Sequence, residues 1–465
     1  MTFTPVNHKI IQELKKIAGS QNVFTDQESI HKYSHDETED LKFFPDVILK
    51  PKTVTDISAI MKYCNAHCIA VTPRGGGTGL SGGALPVRGG VVLSLEKLDQ
   101  IIEIDERNLQ VTVEPGVITE NLMNAVAEKG FLYPVDPSSK GSCFIGGNMA
   151  HGSGGPRVVK YGTIREYVLN LEVVLPNGEI IWTGSNTLKY ASGYNLTQLL
   201  IGSEGTLAII TKIVLKLIPQ PKHDILLLAS FPSNEDACAA VSAIFRAGVT
   251  PSAVEFMERK GIEWVKEHDD INFNMSPTAA AFLLIELDGS SMDLLFADAE
   301  VINEVVEQHN CQEVLFADSA NQKEELWRMR RTMAVSIKSN SVYKEEDTVV
   351  PRAELPKLIH GIKEIGEIYG FDSVCYGHAG DGNLHVNILK GNMSDYDWNH
   401  KLKEGIKEIF ELTVKLGGNI SGEHGIGSVQ KEYMSIKYSE IHLNLMRGIK
   451  AVFDPKGILN PDKIF

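Results

Sequence analysis

The segment Gly377-His-Ala-Gly-Asp-Gly-Asn-Leu-His-Val-Asn387 carries two imidazoles on either side of Asp381-Gly382, a two-residue hairpin signal. A turn at that dipeptide would set His378 directly opposite His385, with Cβ atoms roughly 5 Å apart on one face. Two imidazoles so placed can share a divalent ion at about 2.0–2.1 Å from each ligating nitrogen. The alternative is a pair of hydrogen-bonded histidines on an ordinary hairpin. Ser421-Gly-Glu-His-Gly-Ile-Gly427 adds a carboxylate and a further imidazole. On a strand Glu423 and His424 would point to opposite faces, but the flanking glycines permit a turn that aims both at one site. Two histidines plus a carboxylate leave open positions, as a catalytic metal requires.

A cation belongs beside that chemistry. On a helix expected over 321–338, Leu326, Met329, Met333 and Ile337 form one apolar stripe. Arg330 falls inside the stripe, Arg328 on the opposite side and Arg331 at its edge. A guanidinium on a buried face must find an anion, because an unpaired buried charge is prohibitive. That anion is either an internal carboxylate or the carboxylate of a substrate held bidentately. Asn387, two residues beyond His385 and so on the same strand face, is a second substrate-binding candidate.

Glycine marks a second kind of chemistry. Arg74-Gly-Gly-Gly-Thr-Gly-Leu-Ser-Gly-Gly83 directly follows an expected strand, Ile69 to Thr72. Such a loop turns backbone N–H groups inward and makes a nest for a pyrophosphate. No Gly-Lys-Ser/Thr follows, which excludes a P-loop. No helix is expected across Ser81-Gly82-Gly83, which excludes the Rossmann fingerprint. Further clusters stand at Asp136-Pro-Ser-Ser, at Ile145-Gly-Gly-Asn-Met-Ala-His-Gly-Ser-Gly-Gly-Pro156 and at Gly202-Ser-Glu-Gly-Thr-Leu207.

Pro73-Arg-Gly-Gly-Gly-Thr-Gly, Ile145-Gly-Gly-Asn, Lys160-Tyr-Gly, Gly193-Tyr-Asn-Leu and Ile201-Gly-Ser-Glu-Gly-Thr-Leu207, in that order, resemble the FAD-binding domain of the vanillyl-alcohol-oxidase (PCMH-type) superfamily. The second half resembles the FAD-linked oxidase C-terminal domain of the branch acting on D-2-hydroxy acids: D-lactate, glycolate and D-2-hydroxyglutarate. The resemblance spans about residues 40–465. It implies an α+β fold of two domains with FAD between them. The pyrophosphate would rest on Arg74, Gly75, Gly76, Gly77, Thr78, Gly79 and Leu80. Further cofactor contacts would be Pro137, Gly146, Gly147, Asn148, Glu204, Gly205, Ile210 and Asn460. Thr78 stands inside the loop, so FAD is expected to be non-covalent. The same resemblance assigns His378, His385 and Glu423 as metal ligands, His424 as catalytic base, and Arg330 as the carboxylate clamp. Zn²⁺ is the first choice of ion, with Mn²⁺ and Fe²⁺ also admissible. It implies that the hydroxyl proton passes to His424 and the C2 hydride to flavin N5.

Two positions depart from the family pattern. His151-Gly-Ser-Gly stands where relatives more often show Thr/Glu-Asn-Ala/Ser, and His151 either alters the flavin pocket or, the first expectation, lies at the surface or bonded to backbone. Lys344 lies near the lysine of dicarboxylate-specific relatives, but the simplest register puts Glu345 at that spot.

The elements that must position these groups fall into two textures. Seventeen of the 41 glycines lie between Gly75 and Gly162, so that region relies on close backbone approach. Helices are expected around Ile10–Ile17, around Val54–Cys64, and after Thr119 as N-cap, the last stopping at Gly130. Strands are expected at Val91–Leu95, Ile101–Ile104 and Leu109–Val113, with a hairpin at Asn177-Gly178 and an alternating strand from Leu207 to Ile218. Beyond Pro219 come helices near 235–247, 321–338, 355–369 and 396–416, with strand-like runs at 224–230, 281–287 and 373–388. The expected division is 1–219 for the FAD-binding domain, with a helical segment 1–44, then 220–430 for the substrate and metal domain. Residues 431–465 would return to the FAD domain.

Composition bounds the partners. The chain has 465 residues, 43% hydrophobic and 23% charged, with 45 Lys plus Arg against 60 Asp plus Glu and a formal charge of −15. A nucleic-acid binder or a protein held on anionic lipid needs a basic face. The longest uncharged apolar stretch, Ala279 to Ile285, is far short of the roughly 20 residues that span a bilayer. The N-terminus lacks a basic-then-apolar signal pattern. Six scattered cysteines, with only Cys64 and Cys68 close, fit a reducing, cytoplasmic compartment, with peripheral attachment to an inner membrane left open. The expected partners are a small 2-hydroxy acid and an electron acceptor (quinone, flavoprotein or iron–sulfur protein), with a homodimer open. The alternatives are an accessory flavin subunit of a glycolate-oxidase-type complex, which would usually lack the His378/His385 hairpin, and a non-redox alkylglycerone-phosphate-synthase-like transferase, which tends to carry successive histidines where Glu423-His424 stands.

Overall fold

In the computed structural model the chain divides into two compact units, one of Met1–Gly154, Thr163–Gln220 and Glu423–Phe465, the other of Gly155–Gly162 and Pro221–Gly422. The described residues are 2–38, 41–269, 271 and 275–465; Asp40, where the family resemblance begins, lies outside them. Both units mix helix and sheet, so the fold is α+β. Among the described residues no helix is long and apolar enough to cross a membrane.

The first unit holds a four-stranded sheet in the order Val23–Phe24, Val47–Leu49, Val91–Ser94, Val71–Arg74. The last two adjacencies are parallel, and the helix Val54–His67 supplies the crossover that parallel strands need. Thr53 and Asp56 close a capping box at its start. Ile57, Ile60, Met61 and Cys64 pack from it onto Val47, Leu49, Val71 and Val91. The C-terminal tail joins the same sheet: Val71 N–H donates to Ile458 O at 2.8 Å, and Asn460 N–H to Val71 O at 2.7 Å. A second, five-stranded antiparallel sheet runs Ile101–Asp105, Gln110–Val113, Ile209–Lys216, Val168–Val174, Ile180–Trp182.

Thr119 is not the N-cap expected of it. Ile118 caps the helix Thr119–Ala127, and the Thr119 hydroxyl instead accepts from Asn148 Nδ2 at 2.7 Å. A buried hydroxyl and a buried amide satisfy each other better than either would alone.

The second unit is built on a seven-stranded sheet in the order Glu313–Ala317, His223–Phe231, Ala281–Gly289, Ala253–Glu258, Asp372–Gly377, Asn383–Leu389, Tyr343–Val349. Every adjacency in it is antiparallel. Helices Arg259–His268 and Ala320–Asn340 cover one face; Ile262, Val265, Leu326, Met329, Met333 and Ile337 pack on Leu226, Leu228, Met257, Phe282, Leu284 and Val374. The short stretch Gly155–Gly162 belongs to this unit. Its Lys160 and Tyr161 bond Asp288, and its Arg157 pairs with Glu286 at 3.1 Å. The Lys160-Tyr-Gly motif thus serves the second unit rather than the glycine-rich one.

Candidate active site

In the second unit, one sheet face carries the polar chemistry. Successive registers pair Met257 with Tyr376, Tyr376 with His385, and His385 with Asp347. One step along, Val374 pairs with Asn387 and Asn387 with Glu345. Side chains two apart on a strand share a face, so Glu255, Tyr376, His385, Asn387, Glu345 and Asp347 all project toward the helix that bears Arg330.

His385 therefore faces Tyr376 and not His378, a correction to the expected hairpin. The turn is longer than two residues: His378 O accepts from Asp381 N and Asn383 N, and a short 3-10 turn fills Ala379–Asp381. Asn383 Nδ2 holds that register by donating to Asp347 Oδ1 and Thr348 O. The two imidazoles still meet, with ring centroids 5.4 Å apart and planes at 84°.

Glu255, missed in the sequence, is the hub of this face. Fully buried, it pairs with Arg330 Nε at 2.6 Å and accepts from His378 Nδ1 at 2.8 Å. Burial pushes its carboxyl pKa up, but His378 and then Arg330 pull it down further, leaving it below the ordinary value. An ionised carboxylate only accepts, so Nδ1 carries the His378 proton and the ring's lone pair lies on Nε2. Metal-binding histidines are commonly fixed in this way. The signal was present in the strand itself, since Glu255 shares the buried side of Ala253–Glu258 with Met257. His385 Nδ1 lies 3.8 Å from both Glu345 Oε1 and Asp347 Oδ1.

Arg330 is only 4% exposed, and its guanidinium lies 4.8 Å over the Tyr376 ring. Glu255 meets one edge of it, yet the buried Nη2 has no hydrogen-bond partner among the described residues. Asn387 Oδ1 is likewise buried without a partner among them. Both internal and external anions can thus be served by the one arginine. Arg328 and Arg331 pair instead with Asp269 and Glu324 toward the surface. Lys344 projects from the opposite face and stacks 5.2 Å over Trp398, so Glu345 holds the position beside Asn387.

Asp347 also anchors the chain that leads to Glu423-His424. Its Oδ2 accepts from Ser421 Oγ and from Gly422 N–H, each at 2.8 Å. Glu423 is the next residue, about 3.8 Å further along the backbone.

The first unit contains two adjoining cavities at the glycine-rich loop. Pro73, Arg74, Gly75, Gly146, Gly147, His151, Glu204, Gly205, Ala208 and Ile210 are among the walls of one cavity. A neighbouring cavity shares Arg74 and Gly75 and adds Gly76, Gly77, Tyr33, Asp36 and Glu96. Close backbone approach is what the glycines provide: a Cβ on Gly76 would lie 2.6 Å from Ser142 O, and one on Gly146 2.5 Å from Pro115 Cβ. A Cβ on Gly147 would meet nothing within 4 Å, so it opens onto the cavity. Arg74 is buried, which lowers its guanidinium pKa against the pull of Asp36, and its Nη1 has no hydrogen-bond partner among the described residues. An orphaned guanidinium edge at a glycine nest fits a dinucleotide pyrophosphate.

Of the other residues expected at the cofactor, Thr78, Gly79 and Leu80 continue the loop but do not line either cavity. Pro137 does not line them, Asn148 commits its amide to Thr119, and Asn460 donates to Gly83 O and Glu204 O. His151 takes the second of its two expected places rather than the surface or backbone-bonded one. It lines the first cavity, with Nδ1 buried and without a hydrogen-bond partner among the described residues.

Comparison with known proteins follows the same division. Residues 220–464 match the family described as FAD linked oxidases, C-terminal domain, and residues 45–184 the family described as FAD binding domain. Glycolate oxidase subunit GlcD of Bacillus subtilis (strain 168) is 37% identical over 464 residues, 99% of this chain and 97% of that protein. A D-lactate dehydrogenase of Anaerostipes hadrus is 36% identical over 470 residues, 99% of this chain and 98% of that one. A crystal structure of p-cresol methylhydroxylase with substrate bound shares the fold at TM-score 0.81 and 20% identity, covering 98% of this chain and 96% of that chain.

Proposed function

Because this chain belongs to the FAD-linked oxidase family, we propose that it oxidises a small D-2-hydroxy acid such as D-lactate, or glycolate, to the 2-oxo acid. The observation that supports this reading is the buried set Arg330–Glu255–His378, in which Glu255 fixes the His378 proton on Nδ1 and Arg330 Nη2 has no hydrogen-bond partner among the described residues.

Bound FAD would supply the two-electron acceptor for the hydrogen on C2. A divalent ion, Zn²⁺ first, would supply a Lewis acid that lowers the pKa of the substrate hydroxyl. His378, His385 and Glu423 are the residues assigned to hold that ion. Arg330 grips the substrate carboxylate through its unengaged nitrogen, and Asn387 Oδ1 orients the substrate by accepting a hydrogen bond. His424 takes the hydroxyl proton at its ring nitrogen. Arg74, the 75–77 glycines, Gly146, Gly147, Gly205 and Ile210 line the FAD cradle. A dicarboxylic substrate fits poorly, since the acidic Glu345 and not Lys344 stands beside Asn387.

The electrons would leave to a quinone, a flavoprotein or an iron–sulfur protein; the naming of GlcD as a subunit favours a partner chain. All six cysteines are unbridged, which suits a reducing, cytoplasmic compartment. Replacing His378 by Ala should remove bound metal and turnover while FAD stays bound. Wild-type turnover in that variant, shown metal-free by elemental analysis, would refute the metal role.

A further inference from the structure

Glu204 lines the cofactor cavity, yet its carboxylate is turned elsewhere. Both oxygens are taken by consecutive backbone donors: Ile426 N–H to Oε1 and Gly427 N–H to Oε2, each at 2.7 Å. Those donors begin two residues after His424. The side chain is 5% exposed, and Glu204 adopts φ +52, a left-handed conformation that a residue with a Cβ takes only when its surroundings enforce it. The segment it grips has no slack. A Cβ on Gly425, at φ +82, would come 2.9 Å from His151 Nδ1 and 3.0 Å from Glu204 Oε1. One on Gly427, at φ +53, would strike Ser81 O, which also accepts from Ser428 N–H at 3.0 Å.

We propose that Glu204 is a positioning residue for the reaction: a two-oxygen clamp that fixes the backbone carrying His424, rather than a ligand of FAD. The inference rests on the reading of His424 as the base. A carboxylate offers two acceptors to two parallel N–H groups, a match that a neutral amide of the same shape cannot make. Loss of the clamp lets the loop drift, and a displacement of about 1 Å at a reacting group can cost 10²-fold in rate.

The test uses the FAD-loaded full chain. Glu204→Gln keeps the shape but turns an NH₂ against one backbone N–H. Its kcat should fall about 10–100-fold with KM little changed, while FAD stoichiometry and the flavin absorption spectrum stay wild type. The primary isotope effect of C2-deuterated substrate should rise, because chemistry becomes the slow step. Gly427→Ala, which disturbs the same loop from its other side, should show the same pattern. Loss of FAD from E204Q would overturn the proposal by making Glu204 a cofactor ligand, and so would wild-type kcat in E204Q when His424→Asn is inactive. Full turnover in H424N would instead refute the reading of the base on which the clamp depends.

Discussion

His378, just past the end of the strand Asp372–Gly377, donates its Nδ1 proton to Glu255, 2.8 Å away, and both residues are buried. The carboxylate thereby sets the tautomer of the imidazole and the atom it offers to an ion. Carboxylates in this role typically control metal affinity by 10–100-fold. Glu255→Gln should therefore weaken metal binding by about 10–100-fold while FAD remains bound. Chelator competition followed by elemental analysis measures this; unchanged affinity would leave His378 with only a structural bond.

Arg330 offers a separation between fold and substrate binding. Truncation to Ala leaves Glu255 as an uncompensated buried charge and should cost about 3–5 kcal/mol of stability. Lysine keeps a cation beside Glu255 but loses the planar fork. R330K should melt near the wild type, yet its kcat/KM should drop about tenfold or more, carried mainly by KM. Equal kcat/KM in R330K and wild type would mean the arginine serves Glu255 alone.

The cradle can be probed where the protein itself would not object. Gly147 lies inside the helix Ile145–His151, and a methyl there meets no protein atom within 4 Å. Alanine in a helix interior is favoured over glycine by about 1 kcal/mol. Gly147→Ala should accordingly fold at least as stably without cofactor, yet bind FAD more weakly. Titration of the FAD-free chain with FAD, followed by fluorescence quenching, decides it.

Burial also predicts which thiols react. It pushes the Cys64 and Cys375 thiols up to about 12 and Cys238 well above its usual value. The thiolate is the nucleophile, so these three stay protonated at pH 8 and at pH 9 alike. Cys68, partly exposed, should be alkylated in the native protein. Labelling of Cys64 or Cys375 in folded protein, read by peptide mass spectrometry, would contradict this packing.

Much of the architecture was legible from local pattern. The helix bearing Arg330 could be read because its apolar stripe repeats at 3.6, and a strand before the glycine loop could be read too, though it runs Val71–Arg74 rather than from Ile69 to Thr72. The sheet partners were not legible. Asp381-Gly382 looked like a hairpin turn, but Asn383 bonds across to Asp347 and Thr348 in the neighbouring strand, which moves the register so that Tyr376 faces His385. Glu255 was overlooked for the same reason. Its importance comes from His378 and Arg330, 123 and 75 residues further along the chain, and not from its neighbours. The bonds of Glu204 to Ile426 and Gly427 were not legible either, because those partners lie 222 and 223 residues beyond it.

The central claim is tested most directly by anaerobic mixing of the flavin-loaded protein with D-lactate, L-lactate, glycolate and D-2-hydroxyglutarate, each with and without a chelator. Bleaching of the flavin band by D-lactate or glycolate, absent with L-lactate and lost with chelator, is the expected result. A flavin that none of these acids bleaches would contradict the hydroxy-acid assignment, and bleaching that survives complete metal removal would contradict the metal site built on His378 and His385.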